Sequence, residues 1–164
     1  MKKTLIAVAF TSGLIGSLLA AAPLRAAEPK DIVDTAIAAG SFKTLVAAVQ
    51  AADLVEVLKR PGPYTVFAPT DEAFAKVPKA DLDALMKDKA RLAAVLTYHV
   101  LTANVSADDL KQMKDYGTAQ GGRITITASK ASLKINNANV VKADVAAANG
   151  TIHVIDAVLM PPAK

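Results

Sequence analysis

His99 and His153 are the only imidazoles in this 164-residue chain, which contains no cysteine. A pair of imidazoles would offer a metal site or an acid–base couple. Neither histidine sits in a metal-ligand motif, and no thiolate is present to act as nucleophile or to complete a zinc or iron–sulfur site. Both are expected to be hydrogen-bonded structural residues, with no metal or cofactor. Asp71 and Glu72 are adjacent, so on a helix they point apart and read as favourable charge near its N-terminus. Asp81, Asp83, Asp108 and Asp109 read as solvated faces or caps. Asp156 shares strand parity with Ile152, Val154 and Val158, a set expected to face inward. A carboxylate there is either a ligand-binding acid or, as we favour, a structural acid bonded to backbone where the strand bends. No serine occupies a nucleophile elbow, and no Gly-rich phosphate loop precedes a helix. These residues point away from an enzyme.

The elements that must position them follow from periodicity. Ile32, Val33, Ala36 and Ile37 repeat at helical spacing, and Gly40 is a stop signal. Ser41 is placed to cap a second helix carrying Phe42, Leu45, Val46 and Val49. Leu54, Val55 and Leu58 extend a third, broken by Pro61-Gly62-Pro63. Tyr64 to Phe67 reads as a buried strand. Thr70 is an N-cap candidate for a turn of helix through Phe74. Leu82, Leu85 and Met86 mark one further helical face, and Leu92, Val95 and Leu96 another. Ser106 with Asp109 resembles a capping box. After about residue 114 the period changes to two, as in Ile124 and Ile126 or Leu133 and Ile135. Gly121-Gly122, Asn136-Asn137 and Asn149-Gly150 are hairpin signals, and the last pair is expected to form a type I′ turn. Helices followed by short, mainly antiparallel strands make an α+β domain.

Composition bounds the class. The chain is 52% hydrophobic, too apolar for intrinsic disorder. Its formal charge of +4 would suggest nucleic acid. However, Met1-Lys2-Lys3, the apolar stretch from Leu5 to Ala22 and the small residues after it have the layout of a secretory signal, with cleavage expected before Ala27. Removing residues 1–26 takes away Lys2, Lys3 and Arg25 and no acid, so 19 basic residues less 3 leaves 16 against 15 acidic. A near-neutral chain without a basic stripe is a poor nucleic-acid binder. We therefore expect a signal peptide at 1–26 and one domain at 27–164. The product is exported to the periplasm or beyond, with no membrane span in the mature part.

Three segments together resemble the fasciclin domain family. They are Tyr64-Thr65-Val66-Phe67-Ala68-Pro69-Thr70-Asp71-Glu72-Ala73-Phe74, then Leu96-Thr97-Tyr98-His99-Val100, then Asn149-Gly150-Thr151-Ile152-His153-Val154-Ile155-Asp156 continuing to Pro161. The resemblance spans roughly residues 29–162 and looks like a bacterial single-domain secreted member. It implies a wedge of two β-sheets with helices packed around it, the helices mostly N-terminal. It also implies a non-catalytic adhesion module for a cell-surface or matrix protein or polysaccharide. Some animal members carry Glu-Pro-Asp-Ile-Met before the third segment, a stretch linked to integrin binding. Here Lys142, Ala143, Asp144, Val145 and Ala146 align with it. Asp144 is retained and Val145 replaces Ile, so these two are the candidate partner-binding residues. The other three positions differ, and integrin binding is not carried over. The alternative is a periplasmic small-ligand-binding protein or hydrolase with a pocket between helices and sheet.

Overall fold

Tyr64–Pro69 (β1) and Gly150–Ile155 (β7) are nearly unbroken runs of apolar, aromatic and β-branched residues, the composition of strands covered on both faces. They lie side by side in parallel, from Tyr64 opposite Gly150 to Pro69 opposite Ile155. Successive side chains point to opposite faces. Val66, Ala68, Ile152 and Val154 therefore enter one core, while Phe67 and Ile155 enter a second.

The computed structural model describes residues 30–162. The expected signal at 1–26 lies outside them. The first core is covered by α1 (Ile32–Ala39), α2 (Lys43–Ala51), α3 (Val55–Lys59), α4 (Asp71–Ala75), α5 (Lys79–Lys87) and α6 (Lys89–Tyr98). The chain continues through β2 (Val100–Leu101), α7 (Ala107–Gln112), β3 (Asp115–Gly117), β4 (Arg123–Ala128), β5 (Leu133–Ile135) and β6 (Ala138–Ala147) before reaching β7. The sheet order is β2-β1-β7-β6-β5-β4-β3, antiparallel except at β1–β7. The two layers of the implied wedge are joined by β6. Its first residues pair with β5, and from Val140 onward it pairs with β7. The Ala119 N–H donates to the Val100 carbonyl at 2.8 Å, so the β3–β4 loop meets β2 at the opposite edge. This nearly closed sheet encloses Ile124, Ile126, Leu133 and Ile135 with Phe67 and Ile155. The α+β class with mainly N-terminal helices holds. The strands are mainly antiparallel as expected, with β1–β7 the parallel pair, and they differ from the expected short strands in that β6 is ten residues long.

Most local signals act as read. Gly40 ends α1 in the left-handed region at φ 73°. The Thr70 hydroxyl accepts from the Ala73 N–H and caps α4. Ser106 and Asp109 form a full capping box on α7, even with Asp in place of Glu. Asn136, at φ 53°, turns β5 into β6. Ser41, in contrast, does not cap α2. That cap comes from the Asp71 carboxylate, which accepts from the Thr44 N–H at 2.8 Å and the Lys43 N–H at 3.3 Å. Asp71 thus joins the start of α4 to the start of α2.

The Asn149-Gly150 expectation is corrected. Ala147 pairs with Gly150, so the loop is Ala148-Asn149, and neither Asn149 nor Gly150 has positive φ. Gly150 is required for a different reason: a Cβ there would overlap the Tyr64 carbonyl of the adjacent strand. Asn149 is a buried clamp. Its carbonyl oxygen accepts from the Ile32 N–H at 3.0 Å, and its amide donates to the carbonyls of Leu58 at 2.6 Å and Arg60 at 3.1 Å. One side chain thereby satisfies the first turn of α1 and the end of α3. Asn149→Ala removes three such bonds and should cost about 3 kcal/mol in urea unfolding at neutral pH. Gly150→Ala should cost at least about 1–3 kcal/mol through backbone displacement. A loss under roughly 0.5 kcal/mol, typical of a surface change, would contradict either role.

Candidate functional site

The three family-like segments converge where β1 lies between the edge strand β2 and β7. Thr65, buried in β1, donates its hydroxyl hydrogen to the Ala103 carbonyl at 2.6 Å and accepts from the Val105 N–H at 2.9 Å. The neighbouring Tyr98 hydroxyl donates to the Arg123 carbonyl at 2.6 Å and accepts from the Asn136 amide at 3.1 Å. Both side chains fasten loops to the sheet.

His99 is buried, with both ring nitrogens engaged. Nδ1 lies 2.7 Å from the Val95 carbonyl, and Nε2 accepts from the Leu159 N–H at 2.9 Å. An accepting Nε2 places the proton on Nδ1, so the ring is neutral. Burial lowers its pKa from the usual 6.5 to about 4, against the opposing pull of the Val95 carbonyl. His153 is also fully buried and stacks on Phe67 with ring centroids 5.7 Å apart. Its Nε2 donates to the Val105 carbonyl at 2.9 Å, and its Nδ1 accepts from the Asp144 N–H at 3.2 Å. Burial lowers its pKa too, partly offset by the Val105 carbonyl and the Asp144 charge. Among the described residues no group of three His, Asp or Glu could hold a metal ion.

Asp156 sits just beyond β7 and is half-buried. Its carboxylate accepts from the Asn139 backbone N–H at 2.8 Å and from the Asn139 amide at 2.9 Å, with Lys76 Nζ at 3.9 Å. The Asn139 side-chain bond, ahead of the opposing desolvation, lowers its pKa. Asp71 is held below the usual carboxylate range as well. Burial pushes it up, and the Thr44 and Lys43 bonds outweigh that push.

Asp144 and Val145 lie on β6 where its register breaks twice. Val140 opposes Ile155 and Lys142 opposes Val154, so Val141 is an extra residue. Lys142 opposes Val154 and Val145 opposes Ile152, so Ala143 and Asp144 together face His153. Two bulges in six residues turn side chains outward. Asp144 adopts φ 55°. Its N–H goes to His153, and its carboxylate accepts from the Ala107 N–H at 2.9 Å, at the first residue of α7. Val145 is half-buried against the first core. Both candidates therefore have internal partners, although Asp144 remains exposed, and beside them Val141, 66% exposed, and Lys142 also face outward. Beside them a groove of about 300 Å³ runs between α1 and β6, lined in part by Thr35, Ala39, Phe42 and Val145. Val141 was missed because a period-two reading expects alternate burial. The adjacent apolar pair Val140-Val141 is the signal that could have revealed the bulge.

His99 fixes a pH dependence. Its folded pKa is depressed, so the unfolded chain binds the extra proton between pH 6.5 and about 4. Stability is full above pH 6.5 and should fall by about 3 kcal/mol as the pH drops through that window. His99→Gln should flatten most of this slope in urea titrations, while an unchanged slope would contradict a neutral buried ring. Asp144→Ala should cost about 2 kcal/mol by combining cap loss with left-handed strain, whereas Asp144→Asn retains most of the stability. Equal melting temperatures for the two variants would contradict this.

Comparison with known proteins agrees with this geometry. The Fasciclin domain model matches residues 40–161. Protein sll1483 of Synechocystis is 44% identical over 133 residues, covering 80% of this chain and 73% of that protein. The cell surface glycolipoprotein MPB83 of Mycobacterium bovis is 42% identical over 112 residues, 68% of this chain and 50% of its own length. A FAS1 domain pair from the insect cell adhesion molecule Fasciclin I shares the fold at a TM-score of 0.61 and 19% identity, with 76% of this chain and 47% of that one covered. Sequence motifs, fold and family model agree, and the chain belongs to the fasciclin domain family.

Proposed function

We propose that the mature chain is an exported, non-catalytic interaction module that engages a protein on a cell surface or in a surrounding matrix through the bulged face of β6. The observation that carries this reading is Val141, a β-branched apolar side chain turned out to 66% exposure on a segment whose backbone is fastened from within. A pre-organised segment loses little entropy on binding. Val141 and the adjoining groove suit an apolar anchor, and Lys142 suits an acidic neighbour on the partner. A protein ligand fits this face better than a polysaccharide, because its exposed residues include no aromatic platform. The names of relatives support the setting, one a cell surface glycolipoprotein and another a cell adhesion molecule. A hydrolase reading is weaker, because both nitrogens of His99 and of His153 are occupied by internal bonds and neither ring is available as a general base.

The test is binding of labelled mature protein to intact cells and to matrix extracts. Val141→Asp with Lys142→Glu should weaken binding several-fold, on the order of 1 kcal/mol or more for an anchor residue, with the melting temperature unchanged. Undiminished binding by the folded variant would place the contact elsewhere.

A further inference from the structure

An apolar cavity of about 200 Å³ lies between α1, α2, α3, α6 and the helix-facing side of β1. Val33, Leu45, Val49, Leu58, Val66 and Ile152 form much of its wall. Among the described residues no charged side chain lines it. The polar groups that reach its interior are already occupied. The Thr97 hydroxyl is bonded to the carbonyls of Ala93 and Ala94, and both nitrogens of His99 are engaged. Toward solvent, where Val57 and Thr102 are exposed, the lining includes two further hydroxyl-bearing residues, Tyr64 and Thr102.

Water does not fill such a space readily, because an ordered buried water needs about two to four polar partners. An apolar cavity of roughly 150 Å³ stays dry and accepts benzene or xenon. Well-packed interiors keep few voids larger than a water molecule, so a cavity of this size with walls this uniform offers unusual room for an apolar ligand. A charged ligand is disfavoured, since nothing inside would compensate its desolvation.

We propose that this cavity binds an uncharged small molecule whose hydrocarbon body fills the space between the helices and β1, and whose single hydroxyl- or carbonyl-type end is held at the mouth by Tyr64 and Thr102. A substituted aromatic ring or a short folded alkyl chain has the right bulk. The proposal is independent of the docking role of β6, and either can fail without the other.

The probe is N-phenylnaphthylamine, a neutral fluorophore, titrated into the mature protein. A single saturable site, displacement by octanol and a raised melting temperature are expected. The sulfonated analogue, anilinonaphthalene sulfonate, should bind about tenfold more weakly or worse. Val46→Phe fills the cavity from α2 and should weaken N-phenylnaphthylamine binding by about tenfold or more while leaving the circular dichroism unchanged. Failure of the wild-type protein to bind the neutral probe would overturn the proposal, as would equal affinity in a folded Val46→Phe variant or equal affinity for the sulfonate. If Val46→Phe does not fold, intermolecular NOEs in the wild-type complex decide. Contacts from the probe to the Val33 and Ile152 methyls support the site, and contacts confined to the exposed Val141 or Met160 reject it.

Discussion

The structure depends on the parallel pairing of β1 with β7, strands separated by more than half of the described chain. Each must be covered on both faces, and the rest of the fold supplies the two covers. The N-terminal helices pack on Val66, Ala68, Ile152 and Val154, and the curled remainder of the sheet packs on Phe67 and Ile155. Close approach is part of the constraint. Gly150 lets the Tyr64 carbonyl sit where a side chain would otherwise be, and Asn149 beside it ties the pair to α1 and α3.

Placing polar side chains inside this frame is costly unless every donor and acceptor is used. Thr65, His99, Asn149 and His153 each make two or more hydrogen bonds, and no buried side-chain nitrogen or oxygen among the described residues is left without a partner. The consequence reaches the surface. His153 receives the Asp144 N–H and binds the Val105 carbonyl, and Asp144 in turn holds the first N–H of α7. A core imidazole thereby fastens the bulge at Ala143 and Asp144, next to the one at Val141.

Local devices were legible in the sequence because their partners are near in the chain. Gly40, Thr70, the Ser106–Asp109 box and Asn136 all act within a few residues. What was not legible was long-range. Asp71 caps α2 from 27 residues away, and nothing in the helical period of Phe42 to Val49 announces it. Asn149-Gly150 has the composition of a tight turn, yet tertiary contacts fix both residues and shift the loop one residue earlier. Asp144 and Val145 were singled out by alignment with a family stretch, but their place beside two bulges of β6 could not be counted from parity alone.

Native-state hydrogen exchange on the protein tests the central claim most directly. The account predicts that amides along β1 and β7 exchange only by global unfolding, and that the Asp144 amide shares much of their protection through its bond to His153, although the residue itself is exposed. Exchange of the Asp144 amide at the rate of an open surface loop, while β1 and β7 remain protected, would contradict a bulge fixed from the core.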